Sequence, residues 1–193
     1  KEYVFTIRWG VSTDTQDREG KPTGESDVRP TLEAVAEALK GFLGEIEQLP
    51  PQYSAVKVEG ERAYDLARAG ETVELEPRTV VLHEAEIASH EGTDLVSIRV
   101  RCGKGFYIRA LVRDLAAKLG AEGHVWRLRR TAVGSFRESE SVTLDELQLL
   151  GQKGAASERL KPWYTARYYI TSLAINGEDA FKLRQGRPIV LLP

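Results

Sequence analysis

The run Gly103-Lys104-Gly105-Phe106-Tyr107-Ile108-Arg109 sets two glycines, a lysine, a tyrosine and an arginine between a strand-like segment and a helix-like one. Glycines at such a junction free the backbone to approach a ligand closely. The helix that follows presents free N–H groups at the positive end of its dipole, a natural seat for phosphate or carboxylate. Arg109 falls in its first turn, where a planar guanidinium can hold a carboxylate through two parallel hydrogen bonds. Tyr107 adds a flat ring and a hydroxyl beside it. Each residue also has a plain reading: an arginine at a helix start is commonly solvated, and a tyrosine there commonly packs. Their coincidence with a second basic segment, Arg127-Leu128-Arg129-Arg130, is what points to a binding surface.

Charge supports that surface. Between Arg99 and Arg130 stand nine basic residues (Arg99, Arg101, Lys104, Arg109, Arg113, Lys118, Arg127, Arg129, Arg130) and two acids, Asp114 and Glu122. The stretch is +7, while the other 18 basic and 27 acidic residues leave the remainder at −9, so the overall −2 hides a segregated pattern. A basic strip interleaved with Phe106, Tyr107 and Trp126 suits a polyanion with stackable bases.

The elements that must carry these residues can be read from periodicity. Residues 2–9 alternate, with Tyr3, Phe5, Ile7 and Trp9 on one side, which predicts a strand. Gly10–Pro30 reads as a loop. Thr31 can cap a helix to about Phe42, stopped by Gly44. Residues 45–80 are polar, with the rigid Pro50-Pro51 joint, a short strand at 54–58 and a short helix at 62–69 closed by Gly70. They are expected to form an excursion from the main body. Strands near 79–89 and 95–101 should pair across the turn 91–94. Ile108, Leu111, Val112, Leu115 and Leu119 line one side of a helix over 107–119, which Gly120 ends. A strand over 124–133 follows, and then a short helix to Leu150 capped by Thr143 with Glu146. Gly154-Ala155-Ala156-Ser157 reads as a linker, and 175–187 as a turn plus a short helical piece. The pattern predicts an α+β fold around a largely antiparallel sheet.

Bulk features narrow the classes. At 193 residues the chain can bury a sizeable core. No apolar run reaches the ~18 residues of a membrane span. A single cysteine, Cys102, cannot form an internal disulfide and fits a reducing compartment. The histidines (His83, His90, His124) are scattered and form no metal-ligand spacing; His124 reads as a structural hydrogen-bonder. Asp14, Asp17 and Asp27 could resemble metal ligands, but loop solubility accounts for them. The absence of methionine and the strand at the very start are the expectation for an internal piece of a longer protein.

Taken together, Gly105–Arg109, Arg113-Asp114-Leu115 and Gly123-His124-Val125-x-x-Leu128-Arg129-Arg130 resemble the TruB family of tRNA pseudouridine-55 synthases. Lys1-Glu2-Tyr3 and Gly10-Val11-Ser12-Thr13-Asp14-Thr15-x-Asp17 are similar to a strand and loop of that family. Gln52-Tyr53-Ser54-Ala55-Val56-Lys57 with Gly60-x-Arg62-Ala63-Tyr64-x-Leu66-Ala67-Arg68 is similar to its RNA-gripping thumb. The resemblance runs from residue 1 to about 150. The tail resembles the beginning of the PUA-like RNA-binding domain that follows.

The resemblance implies the pseudouridine synthase fold: a catalytic domain over 1–150 with the thumb at about 51–80, a linker at 151–165 and an incomplete PUA-like domain at 166–193. It implies isomerisation of a flipped uridine in the tRNA T loop, without cofactor or metal, by a cytoplasmic monomer that binds no membrane. Flipping is the general way to reach a base inside folded nucleic acid. By position, Tyr3 matches the tyrosine that stacks on the target uracil and serves proton removal. Tyr107 and Leu128 match residues beside the base, and Arg109 matches the arginine that pairs with the catalytic aspartate. Lys57, Arg62, Arg68, Lys104, Arg113, Arg127, Arg129 and Arg130 are the expected RNA contacts. The family's nucleophile sits in a Gly-x-Leu-Asp-Pro motif, which this sequence does not contain. Arg109 is therefore expected to lack its partner, leaving its site open or rearranged. The alternatives are a non-catalytic tRNA-binding module or folding helper, and a small-molecule enzyme that uses Gly103-x-Gly105 for a phosphate.

Overall fold

The computed structural model describes residues 1–54, 56–58, 61–64, 74–167 and 174–190, without the side chains of residues 57, 58, 61, 62 and 167. These fall into two compact units, Lys1–Val142 and Thr143–Pro193.

The first unit is built on a six-stranded antiparallel sheet. Its strands are β1 (Glu2–Trp9), β4 (Gly44–Gln48), β7 (Arg78–Glu91), β8 (Leu95–Cys102), β9 (Gly123–Val133) and β10 (Phe136–Arg137), in the order β10-β9-β1-β8-β7-β4. β1 alternates as its sequence requires: Phe5, Ile7 and Trp9 are fully buried. β8 answers with Val96, Ile98 and Val100, each opposite one of β1's core-facing residues. Helices α1 (Leu32–Lys40) and α2 (Ile108–Lys118) cover this face, α1 through Val35 and Leu39, α2 through Ile108, Leu111, Val112 and Leu115. Thr31 caps α1 by accepting the Ala34 N–H at 3.2 Å. Cys102 is buried in the same core, and burial pushes its thiol pKa up.

Several expectations are corrected. The Gly10–Pro30 loop contains a hairpin of β2 (Val11–Thr13) and β3 (Pro22–Glu25). Gly41, not Gly44, caps α1; Gly44, at φ +90°, instead begins β4. β4 was hidden in the polar 45–80 stretch because it is an edge strand, paired to β7 alone and exposed along most of its length. Within the expected excursion, β5 (Lys57–Val58) pairs with β6 (Glu61–Arg62). Most of the helix expected at 62–69, with Arg68 and Gly70, lies outside the described residues.

In the second unit, α3 (Leu144–Gln152) is capped by Thr143, whose hydroxyl accepts the Glu146 N–H at 3.2 Å. The expected linker at 154–157 runs into a 3-10 turn, Ala156–Arg159. The expected turn Ile175–Asp179 is the capped start of α4 (Gly177–Arg184), with the Asn176 side chain accepting the Asp179 N–H at 2.8 Å. Residues 168–173 and 191–193 fall outside the described set.

Candidate active site

Strand register decides which side chains share a face, because directly opposed residues of an antiparallel pair point the same way. On β9, Leu128 lies opposite Phe5 and Arg130 opposite Tyr3. All four therefore face the side covered by α1 and α2. Phe5 lies under the helices and is fully buried, while Leu128 is 48% exposed, beyond their cover. Tyr3 is half-buried and packs against the core, and its hydroxyl has no hydrogen bond among the described residues. The sheet and its helices thus leave a half-open ledge carrying Tyr3, Leu128 and Arg130.

The chain reaches this ledge again at the start of α2. Gly105 has φ +85°, which a side-chain-bearing residue adopts only at a cost, so this glycine is required by backbone geometry. Gly103 has no such φ. Tyr107 is the N-cap, in extended conformation and without a side-chain cap bond. Arg109 follows in the first turn. Its Nη1 donates to the Thr15 carbonyl (3.0 Å) and lies 3.3 Å from Asp17 Oδ2, and its Nη2 donates to the Tyr53 carbonyl (2.6 Å).

The site is rearranged rather than open, with Asp17 standing beside Arg109, and the reading of Asp17 as a mere solubilising loop residue is corrected. An arginine side chain only 24% exposed would be costly if unpaired, and Asp17 with two carbonyls satisfies it. Asp17 is itself held: Oδ1 accepts the Thr15 hydroxyl at 2.6 Å and the Glu19 N–H at 3.1 Å, leaving Oδ2 for the arginine. The loop around it lies along β9, with Val125 N–H donating to the Gln16 carbonyl and Arg18 N–H to the Val125 carbonyl. His124, buried at the start of β9, contacts the Val11 carbonyl through Nδ1 at 2.7 Å, as a structural hydrogen-bonder should. Asp17 was missed in the sequence because its contact to Arg109 spans 92 positions.

Between this loop and β9 lies a cleft of about 390 Å³, lined by Asp17, Arg18, Arg109, Trp126, Arg127 and Leu128 among others. The structure thus brings Arg109 and Leu128 to one cleft. Tyr3 shares the sheet face of Leu128, and Tyr107 is the helix N-cap two residues before Arg109, but neither lines the cleft. Among the described residues, no group of His, Cys, Asp and Glu could hold a metal ion.

The basic strip does not form one face. By register Arg127 and Arg129 lie opposite Thr6 and Val4, away from Leu128 and Arg130, although Arg127, next to the β9 bulge, also borders the cleft. Four of its arginines also bond to glutamates from outside the strip: Arg99 to Glu86 (2.7 Å), Arg101 to Glu84, Arg127 to Glu91 (3.4 Å) and Arg129 to Glu138. Arg113 pairs with Asp114 at 2.7 Å and donates to the Leu49 carbonyl at 2.9 Å. Lys104 and Arg130 are exposed, with no ion pair among the described residues. Lys57 and Arg62 sit opposite each other in the β5–β6 hairpin, with their side chains outside the described set, as is all of Arg68.

A sequence model of the TruB family pseudouridylate synthase N-terminal domain matches residues 1–108, and one of the tRNA pseudouridylate synthase B C-terminal domain matches 109–165. The chain belongs to the TruB family. A tRNA pseudouridine synthase B of Caulobacter vibrioides is 52% identical over 193 residues, and one of Bradyrhizobium diazoefficiens is 45% identical over 196 residues. The chain is covered at 100% and 99% in these matches, but spans only 62% and 57% of the two relatives' lengths. Among solved structures, a chain of a Cbf5-Nop10-Gar1 complex superposes with a TM-score of 0.60 at 27% identity, covering 86% of this chain and 42% of the other. The α+β fold expected from the residue pattern, and the pseudouridine synthase fold the resemblance implies, are therefore the fold observed. Among the described residues, no helix is long and apolar enough to cross a membrane.

Proposed function

We propose that this chain forms the base-binding and arginine-bearing part of a tRNA pseudouridine synthase, acting on a uridine in the T loop. The reaction moves the uracil from N1 to C5 attachment. The N1–C1′ bond breaks, a C5–C1′ bond forms, the C5 proton leaves for solvent, and N1 takes up a proton in its place. Tyr3 stacks on the everted uracil and serves the proton removal, Tyr107 and Leu128 flank the ring, and Arg109 holds the nucleophilic aspartate. That aspartate belongs to the family's Gly-x-Leu-Asp-Pro segment, which is not in this sequence. Lys104 and Arg130 contact phosphate beside the ledge, and Lys57, Arg62 and Arg68 do so from the thumb. The proposed protein is a cytoplasmic monomer, with residues 1–150 catalytic, 151–165 linking and 166–193 opening a PUA-like domain. The division of the chain into compact units after Val142 supports a change of role in that region.

The observation that carries this reading is the placement of Arg109. Its guanidinium is fixed at the edge of a cleft it shares with Leu128, with Asp17 beside it. A mere phosphate contact would not be anchored by two main-chain carbonyls. The test is to incubate the full-length protein with an unmodified tRNA transcript and map pseudouridine along it. Conversion of the T-loop uridine is expected. Binding without conversion would favour the non-catalytic module instead.

A further inference from the structure

At the far end of β4, Gln48 is 1% exposed and forms a paired contact with one residue 59 positions away. Its Oε1 accepts the Tyr107 N–H at 2.8 Å, and its Nε2 donates to the Tyr107 carbonyl at 3.1 Å. The same carbonyl accepts the Leu111 N–H, the bond that opens α2. The amide therefore grips both main-chain groups of the N-cap, on a helix whose cap makes no side-chain bond and whose first turn holds no acid.

The next residues of this segment also bind α2. The Leu49 carbonyl accepts from Arg113, and the Tyr53 carbonyl accepts from Arg109, one turn apart on the helix. A leucine of similar size would suffice if this position only filled the core, since burying a polar amide is favourable only when both of its groups are bonded. Here both are bonded, and both to the residue two places before Arg109.

We infer that Gln48 is a positioning residue: through the main chain of Tyr107 it sets the height and rotation of the α2 start, and so the placement of Arg109 and of the Tyr107 ring. Misplacing a catalytic group by about 1 Å can cost orders of magnitude in rate without loss of binding. The inference rests on the proposed isomerase reading, which names Arg109 and Tyr107 as working groups.

The test is a double-mutant cycle in the full-length protein, read as single-turnover conversion of a T-arm stem-loop and as its Kd, each normalised to the folded fraction from thermal melts. Gln48→Met keeps the volume and removes both hydrogen bonds. It is expected to slow conversion about tenfold or more while Kd stays within about twofold. Combined with Arg109→Lys, it should cost less than about threefold further, because the seat it maintains is already spoiled. If Gln48→Met folds poorly, Gln48→Leu, which removes both hydrogen bonds without a buried charge, is read the same way. Conversion at the wild-type rate, a loss confined to Kd, or losses that multiply fully in the double variant would each overturn the inference. An inactive wild-type protein would instead sink the isomerase reading, so the two failures are distinct.

Discussion

At the scale of single residues, Arg109 and Asp17 explain one another. A guanidinium at a helix start could be a surface charge, a phosphate contact or the holder of a carboxylate. Two carbonyls and an acid fix its plane in advance, which favours the last role. Arg109→Lys is expected to lower single-turnover conversion about a hundredfold while changing RNA affinity little, since an ammonium cannot reproduce the planar fork. Equal losses in rate and affinity would make Arg109 a phosphate contact. Asp17→Asn removes the charge but keeps the shape, so it is expected to slow conversion about tenfold or more with little change in thermal midpoint. A variant as active as wild type would show that the ion pair is incidental to turnover. The Gly105-Phe106-Tyr107-Ile108-Arg109 run showed where to look, because the glycine and the helix start are local features. Asp17 stayed hidden because only the folded chain lays its loop along β9.

At the scale of elements, legibility followed burial. β1 and α2 could be read because each is amphipathic against one core, and their alternation and helical spacing record it. The caps at Thr31 and Thr143 were legible for the same local reason. Thr31→Ala is expected to destabilise the first unit by about 1 kcal/mol, measured by denaturant unfolding. No change would mean that the Ala34 N–H finds an equal partner in water. β4 escaped because an edge strand with exposed faces carries no apolar stripe. Its sequence, Gly44-Glu45-Ile46-Glu47-Gln48, looks like a loop, yet it ends in the buried glutamine that grips the start of α2.

At the scale of the molecule, charge segregated along the sequence is not segregated in space. The sheet sends Arg99, Arg101, Arg127 and Arg129 to glutamate partners and, among the described residues, leaves Lys104 and Arg130 exposed without ion pairs. Arg99→Gln with Arg101→Gln is therefore expected to leave T-arm affinity within about twofold. Lys104→Gln with Arg130→Gln should weaken it and flatten its salt dependence, because each lost phosphate contact removes roughly one counterion from the slope. The opposite ranking in a salt titration would move the RNA to the other face of the sheet.

The most direct test of the central claim, that one nucleotide is turned over on the ledge between β1, β9 and the start of α2, is Tyr3→Leu in the full-length protein. T-loop pseudouridine formation and T-arm Kd would be measured side by side. Near-complete loss of conversion, with affinity and thermal midpoint close to wild type, is the expected result. Conversion at an undiminished rate would remove Tyr3 from the site and contradict the account.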